Sequence, residues 1–283
     1  MKFSLAAASV FALTVLSSAV KADSYSDAME KFCGGLAVTA PTETDVFVAG
    51  QNATITVTRQ PNDQTKTITG LDLYVVQASG DPKYVQNVWA GSYELNTQAS
   101  LSDAIPSNVT AGNYYYRVWV TNMINGQHGP DCLETSKTFQ VTTGSHTNDA
   151  GETSYDQALD DESIFNSAHR KGCFGLKVDS PKEGATEKQD SHTSVVLNRD
   201  SAAQRLTLKK VDLYKVSDSG NELVESIWEG SERLSNVFTL KDHIKLPTDK
   251  FDASANYQYL VEVTSDLQGE TCSFQSGAFK ISA

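Results

Sequence analysis

Four cysteines constrain this chain more than any other feature. Cys33 and Cys132 lie 99 residues apart, and so do Cys173 and Cys272. Their surroundings repeat with them. Cys33-Gly-Gly-Leu-Ala-Val-Thr-Ala-Pro41 matches Cys173-Phe-Gly-Leu-Lys-Val-Asp-Ser-Pro181, and Leu71-Asp-Leu-Tyr-Val-Val76 matches Val211-Asp-Leu-Tyr-Lys-Val216. Val88-Trp-Ala-Gly-Ser92 matches Ile227-Trp-Glu-Gly-Ser231, and Phe139-Gln-Val141 matches Phe279-Lys-Ile281. The spacing slips only in polar stretches, where loops take insertions. The 283 residues therefore read as a duplicated module. The expected organisation is a leader over 1–22, a first module over 23–143, an acidic linker over 144–163 and a second module over 164–283.

Four cysteines allow three pairings. Duplication selects Cys33–Cys132 and Cys173–Cys272, because an ancestral single module had to close its own bridge. Each bridge closes a loop of about 100 residues, for roughly 4–5 kcal/mol on the chain-entropy account. Disulfides require an oxidising compartment, and the N-terminus supplies the route. Residues 1–22 carry basic Lys2, an apolar run from Phe3 to Leu16, and small residues before Asp23. That pattern is a secretory signal peptide, and the run is too short for a membrane span of about 20 residues. The C-terminal stretch Gly277–Ala283 has no hydrophobic tail, so no GPI signal is expected. The expected location is secreted, either free outside the cell or associated with a cell wall.

Charge narrows the partners. The chain carries a formal −12, and loss of the leader removes Lys2 and Lys21 but no acid. Such a chain is expected to bind no nucleic acid and to insert in no membrane. Within 144–163, Asp149, Glu152, Asp156, Asp160, Asp161 and Glu162 occur without a single Lys or Arg. The stretch reads as a solvated linker, because the loop pattern that defines a calcium site is missing.

Alternation of apolar and polar residues marks strands. Thr54-Ile-Thr-Val-Thr58 and Asn113-Tyr-Tyr-Tyr-Arg-Val-Trp-Val-Thr121 show it in copy one, and Asn256-Tyr-Gln-Tyr-Leu-Val-Glu-Val-Thr264 in copy two. Seven strands are expected in copy one, near 35–40, 53–59, 68–77, 84–89, 99–105, 113–122 and 136–142, with partners in copy two. Helical turns are expected before each first cysteine, over 26–32 and 166–171. The fold class is all-β: two tandem immunoglobulin/fibronectin-like antiparallel β-sandwiches. Tyr114 and Tyr257 sit where such sandwiches place a hydrogen-bonded corner tyrosine, and Trp89 and Trp228 read as packing residues.

Part of copy one resembles a known family. Val38-Thr-Ala-Pro41, the stretch from Val46 through Gly50 to Val57, Ala111-Gly-Asn-Tyr-Tyr-Tyr-Arg-Val118 and Phe139-Gln-Val141 look like the fungal Ser/Thr-rich GPI-anchored membrane family, the Kre/Knh-type N-terminal domain of yeast cell-wall proteins. The resemblance implies an immunoglobulin-like sandwich and a non-enzymatic role at the fungal cell wall, around glucan assembly. In copy two the position of Gly50 is taken by Asp190.

Catalytic signatures are scarce. His128, His146, His169, His192 and His243 form no zinc-type pair at helical spacing. No nucleophile elbow or phosphate loop occurs, and no cofactor is expected. Asn52-Ala-Thr54 and Asn108-Val-Thr110 are N-glycosylation sequons, both in copy one. The sharpest clue is a difference between the copies. On the 113–121 strand, Tyr114, Tyr116, Val118 and Val120 recur as Tyr257, Tyr259, Val261 and Val263. The alternate residues Tyr115, Arg117 and Trp119 become Gln258, Leu260 and Glu262. Residues at period two share one sheet face. Tyr115, Arg117 and Trp119 therefore read as a candidate exposed ligand face, against the alternative that this face packs on the second module or the linker.

The expected function is a secreted, non-enzymatic tandem sandwich binding cell-wall polysaccharide or an extracellular surface partner. The alternative is a structural or interaction protein, of adhesin or effector type, with no glycan affinity. A third reading is a secreted hydrolase.

Overall fold

The computed structural model describes residues 24–217, 220–267 and 269–283, and the leader assigned to 1–22 lies outside them. The first module opens with helix α1 (Ser24–Cys33), followed by β1 (Leu36–Ala40), β2 (Val46–Val48), β3 (Asn52–Arg59), β4 (Thr65–Val76) and β5 (Pro82–Glu94). It continues with β6 (Gln98–Ala104), β7 (Gly112–Ile124), β8 (Gln127–His128), β9 (Cys132–Thr135) and β10 (Phe139–Thr142). One sheet runs β1-β3-β6 and the other β2-β10-β7-β4-β5, with β8 and β9 also on β7. After Pro41 the chain leaves the first sheet and pairs β2 in parallel with β10 in the second.

Alternation decides what fills the space between the sheets. Ile55 and Val57 from β3 meet Leu71 and Leu73 from β4, and Tyr116, Val118 and Val120 from β7, all fully buried. Each such side chain contributes about 1.5–3 kcal/mol by leaving water. Tyr114 is a corner tyrosine, its hydroxyl donating to Thr110 O at 2.7 Å. Tyr116 donates to the buried Asp103 carboxylate at 2.8 Å, and burial raises the Asp103 pKa.

The second module repeats this plan. It follows two short linker strands, β11 (Ser145–Thr147) and β12 (Thr153–Tyr155), and helix α2 (Ser167–Arg170). Its strands are β13 (Leu176–Ser180), β14 (Thr186–Lys188), β15 (His192–Arg199), β16 (Leu206–Val216), β17 (Glu222–Arg233), β18 (Val237–His243), β19 (Asn256–Ser265), β20 (Thr271–Gln275) and β21 (Phe279–Ser282). Its sheets run β13-β15-β18 and β14-β21-β19-β16-β17, with β20 on β19. Tyr257 donates to Lys250 O at 3.1 Å, and Tyr259 to Asp242 at 2.6 Å. The molecule is thus two tandem immunoglobulin/fibronectin-like sandwiches, each with its own core. The bridges are Cys33–Cys132 and Cys173–Cys272, each joining the module entry to a strand on the sheet edge.

Two expectations need correction. The last strand of copy one, expected over 136–142, is broken at Ser136–Thr138. There the Ser136 hydroxyl takes the Tyr116 N–H at 2.9 Å, so a side chain replaces a rung of the ladder. The short strand β2 lacks an alternating pattern and was not expected. The acidic segment is solvated as expected, with no residue of 144–163 buried, but it is not free of structure. The strands β11 and β12 form a hairpin, and Leu159 O accepts from Gln140 at 2.8 Å. Its acids cap backbone: Asp161 takes the Ser163 N–H at 2.9 Å and Glu162 the Ser167 N–H at 2.8 Å. These bonds favour the ionised carboxylates and lower both pKa values.

Lys66 anchors α1 to the first sandwich. It is fully buried, and its ammonium donates to Phe32 O, to Gln64 Oε1 at 2.8 Å and to Asn122 Oδ1 at 2.6 Å. Burial, reinforced by the charge of Arg59, pulls the Lys66 pKa from 10.5 down to about 8. Removing the ammonium leaves three carbonyl oxygens unpaired, so Lys66→Met should cost on the order of 3 kcal/mol in denaturant unfolding. Between pH 8 and 10.5 the unfolded lysine holds a proton that the folded one has released, so stability from this group rises with pH. The gap between wild type and Lys66→Met should therefore widen across that window, and a gap that narrows would show that the folded pKa is not depressed.

Candidate functional site between the two sandwiches

Tyr115, Arg117 and Trp119 do share one face of β7, as alternation requires. Cross-strand register sets them opposite Tyr74, Asp72 and Gly70 of β4. Gly70 matters because a Cβ there would come within 3.2 Å of the indole, so its absence lets Trp119 lie across the strand. The Trp119 Nε1–H donates to Asp72 Oδ2 at 2.7 Å, and Asn87 donates to Asp72 Oδ1 at 2.8 Å.

The expectation that this row is an open platform is corrected by burial. Tyr115 is fully buried and Arg117 is only 7% exposed, while Trp119 keeps 36% of its surface. What covers them is the second module. Phe174 packs on Tyr115 with ring centroids 5.2 Å apart, and Tyr74 stacks on Tyr115 at 5.4 Å. Val76 and Ala203 complete this third, small core. The Tyr115 hydroxyl donates to Ala202 O at 2.8 Å. Around it, Gly175 N–H donates to Gly80 O at 2.8 Å, Gln204 to Ser136 O at 2.9 Å, and Thr138 to Arg170 O at 2.6 Å. Ion pairs Lys177–Asp81, at 2.6 Å, and Arg205–Glu134 also cross the contact. Gly175 has φ +70, and a Cβ there would meet Ala203 Cβ at 2.4 Å, so only glycine admits this approach.

Beside this contact lies a cleft of about 540 Å³ with walls from both modules. Four of the chain's six arginines line it: Arg117, Arg199, Arg205 and Arg233. Three are committed to protein groups. Arg205 pairs with Glu134, Arg233 reaches Asp266 at 3.6 Å and Glu30 at 3.9 Å, and Arg199 donates to Ala203 O at 2.9 Å. Glu134 is mostly buried, which raises its pKa against the pull of Arg205. Arg117 differs. Its guanidinium sits over the rings of Trp119, at 5.1 Å, and Tyr74, at 6.0 Å, and its one hydrogen bond among the described residues, to the Tyr74 hydroxyl, is long at 3.5 Å. Apolar Leu133, Val237 and Phe238 and polar Ser201, Ser235 and Asn236 share the lining. A larger hollow of about 640 Å³ lies by the linker, but its lysines are already paired, Lys137 with Glu43 at 2.9 Å and Lys171 with Glu270 at 3.8 Å.

The other expected sites stand apart. Asn52, at the start of β3, and Asn108, in the loop before β7, are both exposed. His192 and His243, far apart in sequence, meet across β15 and β18 with rings 4.6 Å apart. Among the described residues no three His, Cys, Asp or Glu side chains converge to hold a metal. Phe174 escaped the sequence reading although its signal was present: Gly34 occupies its place in copy one. The aromatic gain at Phe174 and the gain at Tyr115 are the two sides of one contact.

These features define a class: a pair of immunoglobulin/fibronectin-like sandwiches packed directly on one another, with a cleft at the joint. No protein-family model and no curated protein matches the chain. Among solved structures it is similar to the fibronectin(III)-like modules of Clostridium thermocellum CbhA, at 12% identity over 86% of this chain and 94% of that one, with a TM-score of 0.24. A likeness at that level carries no argument about function.

The joint sets how the molecule melts. The intact chain should show one calorimetric transition, because Tyr115 and Phe174 couple the modules. Tyr115→Ala deletes a buried aromatic, typically about 3–5 kcal/mol, and should split the endotherm into two. Two transitions already present in the wild type would show that the joint does not couple the modules.

Proposed function

We propose that this is a secreted, non-enzymatic binding protein whose ligand, a cell-wall polysaccharide or an extracellular surface partner, enters the cleft between the modules. The observation that carries the reading is Arg117, a nearly buried cation on the cleft wall that no carboxylate among the described residues pairs. Buried charges are ordinarily paired, so a guanidinium left without a carboxylate points to a partner from outside. Secretion is supported by the leader-like N-terminus and by two disulfides, and two exposed sequons are compatible with it. Among the described residues no helix is long and apolar enough to cross a membrane.

A second reading, a structural or interaction protein without glycan affinity, draws on the burial of Tyr115, which diverts the best aromatic of the row into the joint. Retention of the purified full chain on insoluble glucan and chitin separates the two. The proposed function expects retention, and loss of it when Val237 at the cleft rim is replaced by Trp to fill the opening. Absence of retention on every wall polysaccharide would favour the second reading.

A further inference from the structure

We propose that the cleft is a carboxylate-binding subsite for an acidic oligosaccharide, with Arg117 as its anion receptor. This rests on the reading of the protein as a glycan-binding pair of sandwiches and names the ligand chemistry. Three observations converge. First, the sandwich itself does not need an arginine there: the equivalent position in copy two is Leu260. Second, Arg117 is 7% exposed and lines the cleft, and among the described residues its hydrogen bonding is a single long bond to the Tyr74 hydroxyl. Its planar fork of donors matches a carboxylate in a bidentate way. Third, the cleft volume of about 540 Å³ falls within the range that small ligands occupy, about 300–1,000 Å³.

The surrounding charges select the ligand. Asp72 stands across from Arg117 on β4, and Asp131 and Glu232 also reach the cleft. The whole chain is acidic. A polyanion would meet repulsion from all of these, whereas one carboxylate at the guanidinium is locally favoured and the distant charge is screened within about 8 Å at physiological salt. The rest of the lining suits sugar rings. Leu133, Val237 and Phe238 offer apolar surface to ring faces, and Ser201, Ser235 and Asn236 offer bonds to hydroxyls. The Trp119 indole, fixed by Asp72, lies under the Arg117 guanidinium and helps to hold it at the cleft wall.

Calorimetric titration of the full secreted chain tests this with a glucuronosyl-glucose disaccharide, which has one carboxylate on two rings, and with its methyl ester. The acid should bind at least tenfold more tightly than the ester. Arg117→Met should abolish that difference, and Arg117→Lys should restore part of it. Val237 is 59% exposed, so Val237→Asp leaves the core alone; it should weaken binding of both ligands through lost ring contact, and of the acid severalfold more than of the ester. Equal affinity for acid and ester overturns the carboxylate receptor and leaves cleft binding standing. Binding of neither, by a chain still retained on wall polysaccharide, overturns the subsite and not the glycan reading. If Arg117→Met fails to fold, the comparison of acid and ester on the wild type and on Val237→Asp decides.

Discussion

The contact of Tyr115 with Phe174 is the constraint on which the rest of the molecule depends. Two sandwiches on a linker would ordinarily take many relative orientations. Here an aromatic from the outer face of one sheet is sealed by an aromatic from the entry of the next module, and both lose their water completely. The surrounding bonds are short-range and directional. Gly175 to Gly80, Gln204 to Ser136 and Thr138 to Arg170 each need one particular orientation. The apolar patch supplies the free energy and these bonds supply the angle. The cleft lies beside that contact, with walls from both modules and Arg117 on one of them.

Duplication explains which features recur and which diverge. Corner tyrosines, tyrosine–aspartate pairs and hydroxyls that replace a ladder rung occur in both copies, at Tyr114, Tyr116 and Ser136 and at Tyr257, Tyr259 and Ser276. A sandwich of this type needs each of them to pair a buried polar group. The divergent positions lie on the surfaces that face one another. Gly34 against Phe174, and Tyr115, Arg117 and Trp119 against Gln258, Leu260 and Glu262, separate a module that presents its sheet from one that presents its entry. On the equivalent face of copy two the row is Gln258, Leu260 and Glu262, and on the neighbouring strand Lys210 pairs with Asp212 at 2.8 Å. A head-to-tail contact between duplicated units uses a different patch on each, so asymmetry is its expected mark.

How much of this was legible in the sequence follows from the range of the forces involved. The duplicated cysteine spacing, the period-two alternation around Ile55, Val57, Val118 and Val120, and the tyrosines ahead of β7 are local patterns, and they determined the all-β class, the copy number and the core. Tertiary structure alone decided the fate of the outer row. Alternation tells that Tyr115, Arg117 and Trp119 share a face, but whether water or protein covers that face depends on Phe174 and Ala203, which are distant in the chain. The acidic segment is solvated as its composition predicts, with no residue of 144–163 buried, but its hairpin and the Glu162 bond to the start of α2 depend on contacts that composition does not encode. The arginine cleft gathers Arg117, Arg199, Arg205 and Arg233 from separate strands and loops, and no spacing rule connects them, because the orientation of two rigid bodies is set by packing between them and not by the pattern within either.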